Sequence, residues 1–170
     1  RQSLKKWYIF YTKPRAEIVA EEILVKAGFE VYLPKLKQCS IWKNRQKKTI
    51  VKPLIASYIF VFTSEHQIEK VLANPKIVAV VTCGGKKSAL REEDVDLLQE
   101  LERIQKNINA TNNYQVGKRV RFIRGVFSGL EGKLILQNGK QRFGIELDAL
   151  HYAVFIDLEM DQSQIEIIPG

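Results

Sequence analysis

Side chains that could carry out catalysis are few in this chain, and their spacing does not assemble an active site. The two histidines, His66 and His151, have no evident partner residues, and the acidic residues cluster along one predicted helix instead of forming a spaced pair. The two cysteines, Cys39 and Cys83, lie far apart and away from any histidine cluster, so neither a zinc site nor a disulfide framework is indicated. The sequence also has no glycine loop of the phosphate-binding type. We therefore expect a protein that is not an enzyme and that needs no metal and no cofactor.

Positive charge is the strongest chemical feature of the sequence, and it is unevenly distributed. The formal net charge is +8, with 20 Lys and Arg against 12 Asp and Glu in residues 1–106 and 7 of each in residues 107–170. A basic segment over residues 35–52 contains no acid, which predicts that the segment binds a polyanion. The alternative is a solvated hairpin whose lysines protect a sheet edge and keep the protein soluble. The cations of this basic segment are Lys35, Lys37, Lys43, Arg45, Lys47, Lys48 and Lys52.

A second informative segment is the glycine-rich stretch, residues 115–132. Val116, Val120 and Phe122 are separated by polar residues, as in a strand that packs on one face. Glycines at 117, 125, 129 and 132 allow positive φ where a small barrel turns sharply. The stretch predicts a strand, a tight loop that displays Phe127, and a second strand.

The elements that precede residue 107 alternate between strands and helices. A polar segment without charges, residues 107–113, follows the last helix and predicts a flexible connector. This order favours an α+β fold, with one mostly antiparallel sheet and helices in the ferredoxin-like style. The predicted elements are strands at 7–11, 31–33, 58–62 and 77–81, helices at about 16–27, 64–72 and 91–105, and a loop or ribbon in the basic segment. The predicted apolar face of the first helix consists of Ala16, Val19, Ala20, Ile23, Leu24 and Ala27.

The residues after the connector predict a small all-β barrel of about five strands. Asn138-Gly139 is a strong signal for a two-residue hairpin turn. The sequence therefore predicts a first domain at 1–106, a linker at 107–113 and a barrel domain at 114–170. The expected strands of the barrel are 116–122, 133–136, 142–147, 153–158 and 165–168.

Both predicted domains resemble parts of one protein family. The glycine-rich stretch resembles a KOW motif, the strand–loop–strand element of SH3-like barrels, and the first domain resembles the N-terminal domain of NusG-family transcription factors. Ala56-Ser57 departs from the Pro-Gly that is usual in housekeeping members, and it resembles specialised paralogues such as the capsule-locus antiterminators. The first-domain resemblance rests on Trp7-Tyr8-Ile9-Phe10-Tyr11-Thr12-Lys13-Pro14-Arg15, Val31-Tyr32-Leu33-Pro34, residues 52–61 and Asn74-Pro75-Lys76-Ile77-Val78.

The resemblance implies that the first domain binds the clamp helices of the RNA polymerase β′ subunit and suppresses pausing and termination. The implied contact residues are Tyr11, Tyr58 and Phe60, and alternation along a strand places Tyr58 and Phe60 on one face. The alternative is that these rings belong to an ordinary core.

Nucleic acid is the second implied partner, because a similar surface of the specialised members meets the non-template DNA strand. Lys13 and Arg15 lie at the entry to the first helix and Lys76 lies in a second loop. Trp42 could stack on a base or pin the hairpin to the domain. The basic-segment residues predicted to bind nucleic acid are Lys43, Arg45, Lys47 and Lys48.

The barrel domain is expected to recruit a protein, for which the resemblance implies a ribosomal protein or a termination factor. Ile123 and Phe127 are the candidate contacts, and the alternative is that Phe127 only closes one end of the barrel. The competing function is that of an RNA-binding or ribosome-binding KOW protein. No apolar run approaches a membrane span, and residues 1–6 have no secretory signal, so a cytoplasmic monomer with no membrane partner is expected.

Overall fold

A computed structural model describes residues 4–41, 45–104, 108–125, 127–156 and 162–170. The chain divides into two compact units, Arg1–Glu92 and Glu93–Gly170. The described part is a mixture of three α-helices and strands, and all of its paired strands are antiparallel. This confirms the predicted mixed, mostly antiparallel architecture.

The first unit alternates strands and helices, as the sequence predicts. Its first helix ends at Lys26, and Gly28 follows with φ +92°, a conformation that glycine adopts without steric cost. The elements are β1 (Lys5–Thr12), α1 (Glu17–Lys26), β2 (Glu30–Tyr32), β3 (Lys35–Ile41), β4 (Lys47–Pro53), β5 (Tyr58–Ser64), a 3₁₀ turn (Glu65–Gln67), α2 (Ile68–Leu72), β6 (Ile77–Val80), β7 (Thr82–Cys83), β8 (Lys86–Lys87) and β9 (Ala89–Leu90).

A central sheet with strand order β2-β5-β1-β6 forms the frame of this unit, and β9 also pairs with β1. One face of the sheet carries Tyr8, Phe10, Ile59 and Val61, which pack with residues of α1 and α2 in a single apolar cluster. Burial of such side chains is the main source of stability in a unit of this size. Strands β3 and β4 form a separate two-stranded ribbon, and β7 and β8 form another.

The buried side of α1 differs in part from the sequence prediction. The prediction placed Val19 on the apolar face, but its side chain is 43% exposed. The buried residues of the helix are Glu17, Ala20 and Leu24, which follow a spacing of three and four. An acidic residue therefore occupies the core side of the first helical turn.

The second unit contains one six-stranded sheet with order β10-β14-β13-β12-β11-β15. The helix that precedes it, α3, buries Val95, Leu98 and Leu101. The elements are α3 (Glu92–Ile104), β10 (Ile108–Thr111), β11 (Gln115–Phe122), β12 (Glu131–Gln137), β13 (Lys140–Leu147), a 3₁₀ turn (Asp148–Leu150), β14 (Tyr152–Ile156), a 3₁₀ turn (Gln162–Gln164) and β15 (Ile165–Ile167).

The segment predicted as a flexible connector contains a strand. Residues 108–111 form β10, which pairs with β14 from Ile108 opposite Ile156 to Thr111 opposite Ala153. Only 3% of Ile108 is exposed, so long-range pairing and burial outweigh the turn-favouring composition of the segment. The domain boundaries at 1–106, 107–113 and 114–170 stay a prediction.

The glycines of the second unit have two different structural roles. Gly125 and Gly129 have φ of +84° and +94°, as expected for a sharply turning loop. Gly132 is needed for space instead, because a Cβ atom there would lie 2.5 Å from the carbonyl oxygen of Gly144. Asn138 and Gly139 both have positive φ, which confirms the predicted hairpin turn between β12 and β13.

None of the described helices combines the length and the apolar composition that crossing a membrane requires.

Candidate functional site

The aromatic residues predicted to bind a protein partner lie on one face of the central sheet. Tyr11 of β1 stands opposite Tyr58 of β5, and Ile9 stands opposite Phe60. Directly opposed residues of an antiparallel pair share a face, so Tyr11, Tyr58 and Phe60 project to the same side. This is the side that does not carry Tyr8 and Phe10, which face the helices α1 and α2.

Exposure separates these three rings. Tyr11 is 39% exposed and Tyr58 is half-buried, whereas Phe60 is completely buried. The ring centroids of Phe60 and Tyr32 lie 6.2 Å apart, and those of Tyr11 and Tyr58 lie 5.1 Å apart. Phe60 was expected at the surface because it alternates with Tyr58, but alternation fixes only the face and not what covers it. Of these three rings, Tyr11 and Tyr58 are therefore the two that a partner can reach.

Three loops meet beside this pair, at the end of β1. Thr12 N donates to Ser57 O at 2.9 Å, and Lys13 N donates to Lys76 O at 3.0 Å. Lys13 and Arg15 are exposed and Lys76 is half-buried. The structure thus brings the three loop cations predicted to bind nucleic acid to one end of the sheet, which we call the basic loop end (residues 13–15, 57 and 76).

Internal hydrogen bonds fix the Lys76 loop. Lys76 N donates to Asn74 Oδ1 at 2.9 Å, while Asn74 Nδ2 donates to the carbonyl oxygen of Ala20 at 3.2 Å. Asn74 is buried, so its side chain ties the loop to α1 through satisfied polar groups. The position of Lys76 is consequently set by the core of the unit.

A buried carboxylate that the sequence analysis missed holds a second loop in place. Glu17, only 5% exposed, accepts a hydrogen bond at 2.8 Å from the backbone N–H of Ser57. Ser57 and Arg15 both have φ in the left-handed region, at +68° and +61°. The available signal was the spacing of Glu17 with Ala20 and Leu24, which places it on the buried side of α1.

The basic segment forms the ribbon of β3 and β4, paired from Lys35 opposite Pro53 to Ile41 opposite Lys47. Lys35 Nζ lies 2.7 Å from a carboxylate oxygen of Glu21, so the base of the ribbon is tied to α1. Ile50 and Val51 are each 40% exposed, and Arg45 and Lys47 are exposed as well. Lys48 lies in β4, while Trp42 and Lys43 lie outside the described residues.

In the second unit, the loop of the glycine-rich stretch presents Ile123 and Phe127. Ile123 is 42% exposed, and its backbone N–H donates to Gln164 O at 2.8 Å. Phe127 is half-buried, and its ring packs at 5.3 Å from Phe122. Phe127 therefore contacts the core of the unit and also reaches the surface, so both of its predicted roles stay open.

The histidines take no part in these surfaces. His66 Nε2 lies 3.5 Å from Ser64 Oγ, and His151 has φ +54° directly after a 3₁₀ turn. Within the described ranges, His, Cys, Asp and Glu side chains form no group of three that could hold a metal ion.

Comparison with solved structures gives the fold of the whole chain. The structure titled "Domain interaction in Thermotoga maritima NusG" matches with a TM-score of 0.51 and 18% sequence identity, over 97% of this chain and 98% of that one. A search of curated proteins found no match.

The family comparison covers the strands and loops that carry the aromatic pair and the basic loop end. The sequence model described as "Transcription termination factor nusG" matches residues 5–99, more than half of the chain. Proteins of this family are non-enzymatic transcription factors that bind RNA polymerase, so the prediction that the chain is not an enzyme is confirmed. The match also supports a role in transcription elongation. The chain belongs to the NusG family.

Proposed function

We propose that this chain is a bacterial transcription elongation regulator of the antiterminator type that grips the clamp helices of the RNA polymerase β′ subunit. The observation that carries the proposal is the Tyr11–Tyr58 pair at the exposed end of β1 and β5. Tyrosine combines a large apolar ring with a polar tip, so it tolerates exposure in the free protein and gains free energy when a partner buries it. A centrally buried ring of this kind contributes about 2 kcal/mol to an interface.

The finer fold assignment is part of the proposal. We take the first domain as ferredoxin-like and the second as an SH3-like KOW barrel, joined as 1–106, 107–113 and 114–170. The antiparallel sheet with helices supports the first assignment, and the six-stranded sheet with its glycine loop supports the second.

The subtype proposed is a specialised paralogue of the capsule-locus antiterminator type. Its sequence support is Ala56-Ser57 in place of Pro-Gly. Ser57 has φ +68°, a conformation that favours glycine, which explains why glycine is usual at this position. The serine of this chain therefore departs from the pattern where the backbone conformation favours glycine.

The basic loop end and the basic ribbon are proposed to contact the non-template DNA strand. Lys13 and Lys76 are joined by a backbone hydrogen bond at the end of β1, and Lys13 and Arg15 follow Tyr11 closely along the chain. A chain that holds the polymerase through the tyrosines would thus present cations from the same end of its sheet. Charges of this kind position a backbone without reading its sequence.

The second domain is proposed to recruit a ribosomal protein or a termination factor through Ile123 and Phe127. The exposed Ile123 and the half-buried Phe127 of this loop offer apolar contacts in an electrically neutral domain. We propose that the factor acts as a monomer in the cytoplasm.

No chemical step is required for this activity. A protein that binds the non-paused polymerase more tightly than the paused one shifts the equilibrium by its differential affinity. About 1.4 kcal/mol of such preference lowers pause occupancy tenfold, and fewer long pauses leave fewer chances to terminate.

The test measures binding of the full chain to bacterial RNA polymerase elongation complexes. Tyr11→Ala/Tyr58→Ala should weaken binding at least about tenfold. Val19→Ala/Val25→Ala is the matched control, because it removes two exposed apolar side chains, 43% and 56% exposed, from α1 on the opposite side of the sheet. Equal affinities of the two variants, or a folded wild-type chain that binds ribosomes and not polymerase, would contradict the proposal.

A further inference from the structure

Glu17 connects α1 to the ends of the two strands that carry the Tyr11–Tyr58 pair. Its carboxylate accepts a hydrogen bond from the backbone N–H of Ser57 at 2.8 Å, and Ser57 directly precedes Tyr58, the first residue of β5. The carbonyl oxygen of Ser57 accepts in turn from the backbone N–H of Thr12 at 2.9 Å, next to Tyr11 in β1. One side chain of α1 is therefore linked, through a single residue, to the ends of both strands.

The burial of this carboxylate has a physical cost that the fold offsets locally. Acidic side chains are almost never buried without a partner, yet Glu17 is only 5% exposed. Glu17 is the first residue of α1, where the helix dipole favours a negative charge, and the Ser57 N–H donates to the same carboxylate. A neutral apolar side chain could fill the same space at lower cost, so the hydrogen bond to the loop is the feature that only a polar side chain supplies.

Tyr58 depends on this loop because it lies at the edge of the paired region. The register of β1 and β5 ends with Tyr11 opposite Tyr58, so backbone pairing constrains Tyr58 from one side only. On the other side, Ser57 has φ +68°, which is unfavourable for a residue with a side chain. If the hydrogen bond from Glu17 is lost, the loop can relax and the Tyr58 ring moves with it.

We propose that Glu17 is a positioning residue for polymerase binding, which holds Tyr58 beside Tyr11 in the geometry that the partner recognises. This inference rests on the proposed function and adds to it a residue that does not touch the partner, since its side chain is buried beneath the loop. A pair of rings that is fixed before binding loses less conformational entropy when the partner covers it. Glu17 therefore determines affinity through the backbone of Ser57.

The experiment uses two variants of the full chain that separate the charge of the side chain from its length. Glu17→Asp keeps the charge but is one methylene shorter, so it does not reach the Ser57 N–H. Glu17→Gln keeps the length, and its carboxamide oxygen accepts the same hydrogen bond. Binding to RNA polymerase elongation complexes should weaken about fivefold in Glu17→Asp and change less than about twofold in Glu17→Gln. The reverse order would show that the charge acts instead of the hydrogen bond, and it would overturn the proposal.

A general loss of stability is the competing explanation, and Thr63→Val is the control for it. Thr63 is 1% exposed, lies near the other end of β5 and donates its hydroxyl to Gln67 Oε1 at 3.1 Å. The variant therefore removes a buried hydrogen bond of the same strand far from Tyr58, and it should leave the affinity unchanged. All affinities are measured at a temperature where unfolding curves show every variant to be folded. Equal losses in Thr63→Val and Glu17→Asp overturn the proposal.

A second measurement observes the position of the rings in the free chain, without any partner. In NMR spectra of the labelled full chain, Glu17→Asp should weaken the nuclear Overhauser contacts between the Tyr11 and Tyr58 rings and speed hydrogen exchange of the Ser57 amide at least about tenfold. Glu17→Gln should restore both signals, and Thr63→Val should leave both unchanged. Unchanged ring contacts and Ser57 exchange in Glu17→Asp overturn the proposal.

The two measurements distinguish failure of this inference from failure of the proposed function. If the wild type binds polymerase, Tyr11→Ala/Tyr58→Ala loses binding and Glu17→Asp binds like the wild type, the role of Glu17 is refuted and the proposed function stands. If the folded wild type does not bind polymerase, the proposed function fails, and the ring contacts and the Ser57 exchange still decide whether Glu17 positions Tyr58.

Discussion

Ser57 holds a backbone conformation that costs free energy in any residue with a side chain. Its φ of +68° lies in the left-handed region, while its N–H is fixed by the buried carboxylate of Glu17 at 2.8 Å. The hydrogen bond keeps the loop in this conformation, because a buried carboxylate without its donor would be costly. At Ser57, the loop beside Tyr58 is thus both strained and fixed by the hydrogen bond to Glu17.

Ser57→Gly should stabilise the chain by about 0.5 kcal/mol. Glycine removes the left-handed cost of about 1–2 kcal/mol, and part of the gain is lost to the larger freedom of glycine in the unfolded chain. The hydrogen bond to Glu17 uses the backbone and survives the change. Denaturant unfolding measures the difference, with Ser57→Ala as the control that keeps the strain; a glycine variant less stable than the alanine variant would contradict this account.

Among the described residues, Tyr114 shows a clear effect of the fold on ionisation. Burial, together with its hydrogen bond of 3.1 Å to Glu146, raises the pKa of Tyr114 to about 12. A raised pKa means that the folded chain keeps the proton longer than the unfolded chain does. The contribution of the Tyr114 proton to the free energy of unfolding is therefore complete below pH 10. It is lost as the pH rises from 10 to 12.

Tyr114→Phe should make the free energy of unfolding less sensitive to pH between 10 and 12. Phenylalanine keeps the ring that packs against Ile135, Ala153 and Phe155 but has no proton to lose. Unfolding of both proteins at several pH values in that window gives the comparison. Glu146→Gln should reduce the wild-type loss only in part, since burial is the larger cause of the raised pKa; parallel curves for wild type and Tyr114→Phe would refute the assignment.

At the scale of elements, β10 shows most clearly what composition cannot predict. The segment Asn107–Asn113 has the polar, uncharged composition of a connector, yet Ile108 and Ala110 alternate with Asn109 and Thr111 as in a strand. A four-residue alternation is too weak a signal without knowledge of its partner, which lies more than forty residues later in β14.

Ile108→Ala tests whether β10 belongs to the folded unit. Ile108 is 3% exposed and stands opposite Ile156, so truncation should cost about 2–4 kcal/mol. The same truncation in a true connector would leave the free energy of unfolding almost unchanged. Unfolding by urea measures the effect, with Asn112→Ala at an exposed neighbouring position as the control, and equal stability of the two variants would show that β10 is not part of the cooperative unit.

Other elements were predictable because their signals are local. The Asn138-Gly139 turn, the helix now seen as Glu92–Ile104 and the strand at Tyr58 each follow from residues within one segment. The exposure of Phe60 was not predictable in this way. Alternation assigns it to the face of Tyr58, but its complete burial depends on packing that no local pattern contains.

Over the whole molecule, the excess positive charge belongs to one part of the chain. Residues 1–106 have 20 cations against 12 acids, and residues 107–170 have 7 of each. The convergence of Lys13, Arg15 and Lys76 at the basic loop end could not be predicted from sequence alone, because it depends on the backbone bonds between their loops. Electrostatic attraction of a nucleic-acid strand should therefore be dominated by the first part of the chain.

Binding of single-stranded DNA should weaken steeply with salt. If the basic loop end and the basic ribbon neutralise about four phosphates, counterion release gives a log–log slope of about −3 for a single strand. A salt titration by fluorescence anisotropy measures the slope.

Lys13→Gln/Lys76→Gln should make this slope shallower by about 1.4, since each lost phosphate contact accounts for about 0.7. Lys86→Gln/Lys87→Gln removes the same charge from β8, where Lys87 pairs with Glu65 at the opposite end of β5 from Tyr58, and should preserve the slope. A wild-type slope near zero, or an equal change in both variants, would show that these cations do not form a phosphate-binding surface.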